Sequence, residues 1–176
     1  MIQRLFGVLL QAQWAVTGPL WPAYAEAQAR RDAGWIRKSF RVSQLFALLL
    51  FGALVVIGAT HRWLLHLWLG DGAPAIDPTL LVLTAVWFGG MIVTHPFGSL
   101  LGGLGHAGGM GLYWLATCAI FVTGAFWLGP AHGASAVMGS AALAMLAVNL
   151  PGMVIEALVR YRRTVAALDS APAGVR

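Results

Sequence analysis

Thr17-Gly18-Pro19-Leu20-Trp21-Pro22-Ala23-Tyr24-Ala25-Glu26-Ala27 closes the first apolar run of the chain, and Gln28-Ala29-Arg30-Arg31-Asp32 comes directly after it. A proline inside a helix removes a backbone hydrogen bond and crowds the preceding turn, so Pro19 and Pro22 predict a bend. The acid, the aromatics and the positive charge beyond them exceed what a plain membrane anchor needs. The stretch reads as the end of a bent membrane helix, bent for packing or to bring polar groups to the inside of a bundle.

The rest of the chain has the composition of a membrane bundle. Its 176 residues are 59% hydrophobic and 10% charged, with a mean hydropathy of +0.77, far from the balance of a water-soluble domain. The net charge of +5 falls in two short clusters beside apolar runs, which is how topology signals are placed and not how an extended nucleic-acid surface is built. Cys118 is the single cysteine, so no intrachain disulfide and no thiolate metal cluster is expected. Met1 to Phe6 resembles the start of a signal peptide, but Gln11, Gln13 and Thr17 interrupt the apolar run after it and no small-residue cleavage site precedes the prolines. A retained span is expected.

A helix crossing a hydrocarbon core of about 30 Å takes about 20 apolar residues. On that ruler the sequence predicts an all-α, polytopic membrane helix bundle over residues 1–160. It has five transmembrane helices, at about 5–27, 42–60 (extendable to 69), 79–101, 111–128 and 134–158, and a cytoplasmic tail at 161–176, loose from Val165 onward. The connections are a turn-rich loop from Asp71 to Pro78, a glycine-rich one from Gly102 to Gly109, and a tight one at Gly129-Pro130 with Gly133. Five crossings put Arg30, Arg31, Arg37, Lys38 and Arg41 on the same side as Arg160, Arg162 and Arg163, the cytoplasmic side by the positive-inside rule. The amino terminus is then outside, which suggests a missing upstream helix.

No zinc-protease pattern, paired-acid element, nucleophile elbow or phosphate loop occurs, so no catalytic residue, metal site or cofactor is assigned. His95-Pro96, with Thr94 and Ser99 beside it, predicts a kink in the third span that serves packing or lines a cavity. Pro151 repeats the motif in the fifth. Glu156 and Arg160, like Glu26 and Arg30, have the spacing of an interfacial ion pair. Gly98, Gly102, Gly105 and Gly109, with Ala141, Ala144 and Ala147, are close-packing signals. In the first span Arg4 and Gln11 lie within about 20° of each other around the helix, and Gly18 and Pro22 continue the stripe. A polar stripe in a membrane helix turns toward the bundle interior or a hydrated cavity, so this face is expected to look inward, with Gln13, Thr17 and Tyr24 on adjoining faces.

Pro19-Leu20-Trp21-Pro22-Ala23-Tyr24-Ala25-Glu26-Ala27 with its basic sequel resembles an element of bacterial lipid-linked oligosaccharide flippases, the O-antigen and polysaccharide exporters of the multidrug/oligosaccharidyl-lipid/polysaccharide superfamily. Leu67-Trp68-Leu69-Gly70, Pro96 with Leu101-Gly102-Gly103-Leu104-Gly105, and Gly133-Ala134 agree in order. The resemblance implies part of the second lobe of a two-lobed inner-membrane flippase that moves polyprenyl-pyrophosphate-linked glycans outward, with a missing N-terminal lobe or partner chain. It implies Arg4 as the attractor of the diphosphate, Gln11, Gln13 and Thr17 as sugar contacts, and Pro19 and Pro22 as bend points, beside Pro96 and Pro151, which the proline rule alone marks as bends. Its partners would be the lipid-linked oligosaccharide and membrane lipids, with no nucleic acid. The competing readings are a small non-transporting membrane subunit or remnant, and an enzyme of lipid-linked sugar metabolism.

Overall fold

Among the described residues three helical segments, in place of the five expected, are long and apolar enough to cross a membrane: Ala33–Gly72, Pro78–Gly103 and Ala107–Ser170. The structure, a computed structural model, describes residues 2–72 and 75–170. Among these every regular element is helical: α1 (Ile2–Thr17), α2 (Leu20–Ala29), α3 (Ala33–Leu69), α4 (Pro78–Gly103), α5 (Ala107–Ala144) and α6 (Leu150–Ser170), with a 3₁₀ turn at Gly70–Gly72 and a π turn at Met145–Asn149. Met1, Ala73 and Pro74 of the expected loop, and 171–176 of the expected tail lie outside the described residues.

The count differs from five for two reasons. The first expected span breaks at Gly18-Pro19 into helices of 16 and 10 residues, each shorter than a crossing requires. The fourth and fifth run into one another because Gly129 and Pro130 stay helical, and inside α5 the backbone departs from helical geometry at Gly133, with φ 67° and ψ −153°. That region is essentially restricted to glycine, and it reverses the chain. A Cβ added to Gly129 would meet Val137, one on Gly124 would meet Ser140, and one on Gly152 would meet Tyr113. These pairs close on Gly133 from both sides, so Ala107–Ser170 is an antiparallel hairpin with two packed legs. The tail also departs from expectation, since α6 carries Val165 on to Ser170 as helix. Gly108 and Gly109, expected in a loop, form the first turn of α5.

Capping sets the other boundaries. Asp32 accepts from Trp35 N at 2.8 Å to start α3, and Asp77 accepts from Thr79 N at 2.8 Å to start α4, with Pro78 at the first helical position, where its missing N–H costs nothing. Pro96 leaves α4 as one helix. Pro151 acts differently: the preceding turn widens, and Leu150 N bonds to Met145 O five residues back. A π turn of this kind relieves the crowding between a proline ring and the carbonyls before it.

α4 touches every other α-helix, and small residues let it. A Cβ on Gly102 would lie 2.6 Å from the Trp21 ring, one on Gly103 would strike Trp21 O at 2.6 Å, and one on Gly98 would meet Met153 at 3.0 Å. Two apolar clusters flank the middle of α4. One joins Tyr24, Ile36, Phe40, Leu100, Leu101 and Met153; the other joins Phe6, Leu9, Leu50, Leu54, Phe88 and Ile92. Outside, α3 presents Val42, Leu45, Leu48 and Leu49, each more than half exposed, a stripe suited to lipid.

Charge sits at the ends. Arg37 donates to both carboxylate oxygens of Asp169 at 2.8 and 3.3 Å, which joins the start of α3 to the end of α6 and gathers both basic clusters at one end. The Glu26–Arg30 pair forms as the spacing predicts. Glu156 and Arg160 approach to 3.8 Å. At the other end, Ser135 on the second hairpin leg donates to Asp77 at 3.0 Å.

Candidate functional site

The break between α1 and α2 is where polar chemistry enters the bundle. Backbone pairing fails there for a definite reason. The carbonyls of Ala15 and Gly18 would be taken by residues 19 and 22, and proline has no N–H. Gly18 N still reaches Trp14 O at 2.8 Å, and Trp21 N turns to Gly18 O at 3.4 Å, which frees the Thr17 carbonyl. Ser99 on α4 supplies the missing donor, from its hydroxyl to Thr17 O at 3.2 Å.

His95 holds the same residue from one turn earlier. Thr17 Oγ1 gives its hydrogen to Gln13 O at 2.8 Å and lies 3.4 Å from His95 Nδ1. A hydroxyl has one hydrogen and two lone pairs, so toward His95 the threonine accepts. That assigns the imidazole hydrogen to Nδ1 and leaves Nε2 with a free lone pair. Trp14 packs on the imidazole with ring centroids 5.5 Å apart. Beside these groups lies a cavity of about 200 Å³ lined by Trp21, Thr94, His95, Ser99 and Trp114, with Met110, Met153 and Gly98 completing it.

Two buried amides occur at the same level. Gln13 and Asn149 are fully buried, and neither side chain finds a hydrogen-bond partner at its oxygen or its nitrogen. Parallel packing of α1 on α4, set by Phe6 on Phe88 and Trp14 on His95, brings Gln13 to the level of His95. Parallel packing of the second hairpin leg, set by Met145 against Gly90 and Met153 against Gly98, brings Asn149 to that of Thr94. Leaving such an amide unpaired costs roughly 1–3 kcal/mol.

The four expected site residues therefore divide. Gln13 and Thr17 are buried and reach the centre of the bundle, whereas Arg4 and Gln11 are exposed on its outside. The inward face of α1 is Phe6, Leu9, Gln13 and Thr17, and the stripe expected to look inward, Arg4, Gln11, Gly18 and Pro22, looks away from α3 and α4. A stripe is only a repeat of three to four residues, and α1 carries two of them. Packing chose the one with larger apolar volume at its start. Of the bend residues, Pro19 breaks its helix, Pro22 lies inside α2, and Pro151 comes just after the π turn. Trp114 carries no local signal of a site; Trp21, Ser99 and Asn149 stand near prolines that signal a bend, and the four converge only through the register of the elements that carry them.

No metal-binding group of three or more His, Cys, Asp or Glu side chains occurs among the described residues. No protein-family model, curated protein or solved structure matches the chain.

Proposed function

We propose that this chain is part of a polysaccharide or O-antigen exporter that flips polyprenyl-pyrophosphate-linked glycans across the bacterial inner membrane. In this reading the bent α1–α2 unit, α3, α4 and the two hairpin legs are separate passes, with the amino terminus outside and the basic end cytoplasmic. The observation that carries it is the outward polar face of α1. Arg4 and Gln11 are exposed on a helix whose other exposed residues, Gln3 apart, are mostly apolar. An arginine facing lipid costs about 2.5–3.5 kcal/mol at the centre of a membrane helix on insertion scales and less at a helix end such as that of Arg4, where the side chain reaches the interface; arginines within a bundle face a partner or a hydrated cavity. A second lobe closing on this face would enclose a cavity lined by Arg4 and Gln11, with the arginine available to the diphosphate.

Flipping needs no covalent step. It needs a polar path for the head group, lipid access for the tail, and two arrangements of the path. The α1–α2 break provides a joint, because Pro19 leaves the Ala15 carbonyl, and the turn of Trp21 N to Gly18 O leaves the Thr17 carbonyl, without a helix hydrogen bond. Rocking of the lobes then changes the angle at Gly18 while α4 holds Thr17 through His95 and Ser99.

The test is export in cells that carry the assembled transporter. Arg4→Ala should insert normally and lower glycan export by about 10- to 100-fold, the loss expected for one charge-assisted contact. Unchanged export at matched protein level would remove Arg4 from the path and with it the support for this reading.

A further inference from the structure

The hydroxyls and the imidazole at the bend cavity present lone pairs. Thr94 Oγ1 gives its hydrogen to Gly90 O at 2.9 Å, Ser99 Oγ gives its own to Thr17 O at 3.2 Å, and the Nδ1 hydrogen of His95 faces Thr17 Oγ1. What these side chains retain is lone pairs, on two hydroxyl oxygens and on Nε2. The aromatic walls, Trp21 and Trp114, have electron-rich faces and contribute only their indole N–H groups as donors. Among the described residues no Asp, Glu, Lys or Arg lines the cavity.

Three ligand classes can be weighed against that lining. An apolar ligand would leave the lone pairs of Thr94, Ser99 and His95 Nε2 without a donor, although both hydroxyls keep the bonds they already give. A cation would gain from the indole faces but would be buried in a membrane bundle without a carboxylate to balance it. A neutral ring with many hydroxyls offers a hydrogen to each acceptor and an apolar C–H face to an indole. The space of about 200 Å³ equals that of about seven waters, which is the bulk of one six-membered ring with its hydroxyls.

We propose that this cavity holds a single pyranose unit, its flat face against Trp21 or Trp114 and its hydroxyl hydrogens directed at His95 Nε2, Ser99 and Thr94. The proposal rests on the exporter reading and narrows it, because it assigns the grip on one sugar to residues on α2, α4 and α5, apart from the Arg4 face. His95 is the specificity-setting acceptor: its tautomer is fixed by Thr17, so the site favours a donor at one point of the ring.

The full chain in lipid nanodiscs, free of glycoside detergents, should show saturable binding of methyl α-D-glucopyranoside, methyl α-D-galactopyranoside or N-acetylglucosamine by saturation-transfer NMR. Affinity should fall about tenfold or more in His95→Phe and in Trp114→Ala, and return toward the parent value in His95→Gln, whose side-chain oxygen again supplies an acceptor. Thermal unfolding separates loss of the site from loss of the fold, and the unaltered chain decides the matter if a variant does not fold. Binding of tetramethylammonium in place of the sugars, or of no sugar at all, overturns the proposal. Sugar binding combined with export that is indifferent to Arg4→Ala leaves the pocket and removes the exporter reading; Arg4-dependent export without sugar binding does the reverse.

Discussion

Gln13 spends its amide on nothing. Both its oxygen and its nitrogen are buried without a partner, next to a backbone carbonyl that Thr17 has already taken. Replacing such a group with an apolar one of similar shape removes a desolvation cost and breaks no bond. Gln13→Leu is therefore expected to raise stability by about 1–3 kcal/mol, read as a higher midpoint of thermal unfolding in detergent. A lower midpoint would mean that the amide contributes to folding through water. The residue scale is also where the sequence is most ambiguous. Arg4 and Gln11 on one stripe and Gln13 and Thr17 on another have the same periodicity, and the face that turned inward was decided by Phe6 and Leu9 packing under Phe88 and Ile92. His95 and Ser99 were legible as polar groups at a proline; that they reach across to Thr17 was not, because it depends on how far α1 slides along α4.

At the scale of elements, boundaries with side-chain chemistry were readable. Asp77-Pro78 starts α4 as the turn signal indicates, and its carboxylate does more than cap. Thr79 N–H and then the Ser135 hydroxyl hold Asp77 below its usual value of 3.8. A depressed acid stabilises the fold at all pH values above the ordinary carboxylate range, and that contribution disappears as pH falls through the lowered value. The unfolding midpoint should accordingly drop more steeply on acidification in the parent chain than in Asp77→Asn. Parallel curves would mean that neither the Thr79 N–H nor the Ser135 hydroxyl depresses Asp77 in solution. The π turn was legible only as a bend at Pro151, because the sequence marks the proline and not which carbonyl Leu150 N reaches. Gly129, Pro130 and Gly133 were read together as one connection, yet the reversal falls on Gly133 alone, since a proline within a helix still adopts helical φ.

The hairpin is a property of the whole molecule and can be measured as such. Spin labels at Leu112 and Ile155, both on exposed positions, with Cys118 replaced by Ser, would be roughly 65 Å apart along an unbroken helix at 1.5 Å per residue. On opposed legs packed at helix–helix distance they should lie within about 20 Å. A long distance would abolish the hairpin. The all-helical class and apolar segments were legible from composition and run length, because both come from local arithmetic. The number of separate crossings was not, because whether a helix stops or bends at a glycine or a proline depends on its neighbours.

The position of α4 has a consequence for biosynthesis. Its glycine face is closed on one side by helices made before it and on the other by Met145 and Met153, which leave the ribosome about 55 residues later than the Gly90 and Gly98 they cover. At roughly 5–20 residues per second that is an interval of several seconds. During it the central helix of the bundle has half a socket and a glycine-lined flank open to the bilayer. Synthesis that stalls between Gly103 and Met145 should yield a nascent chain that is inserted but readily degraded.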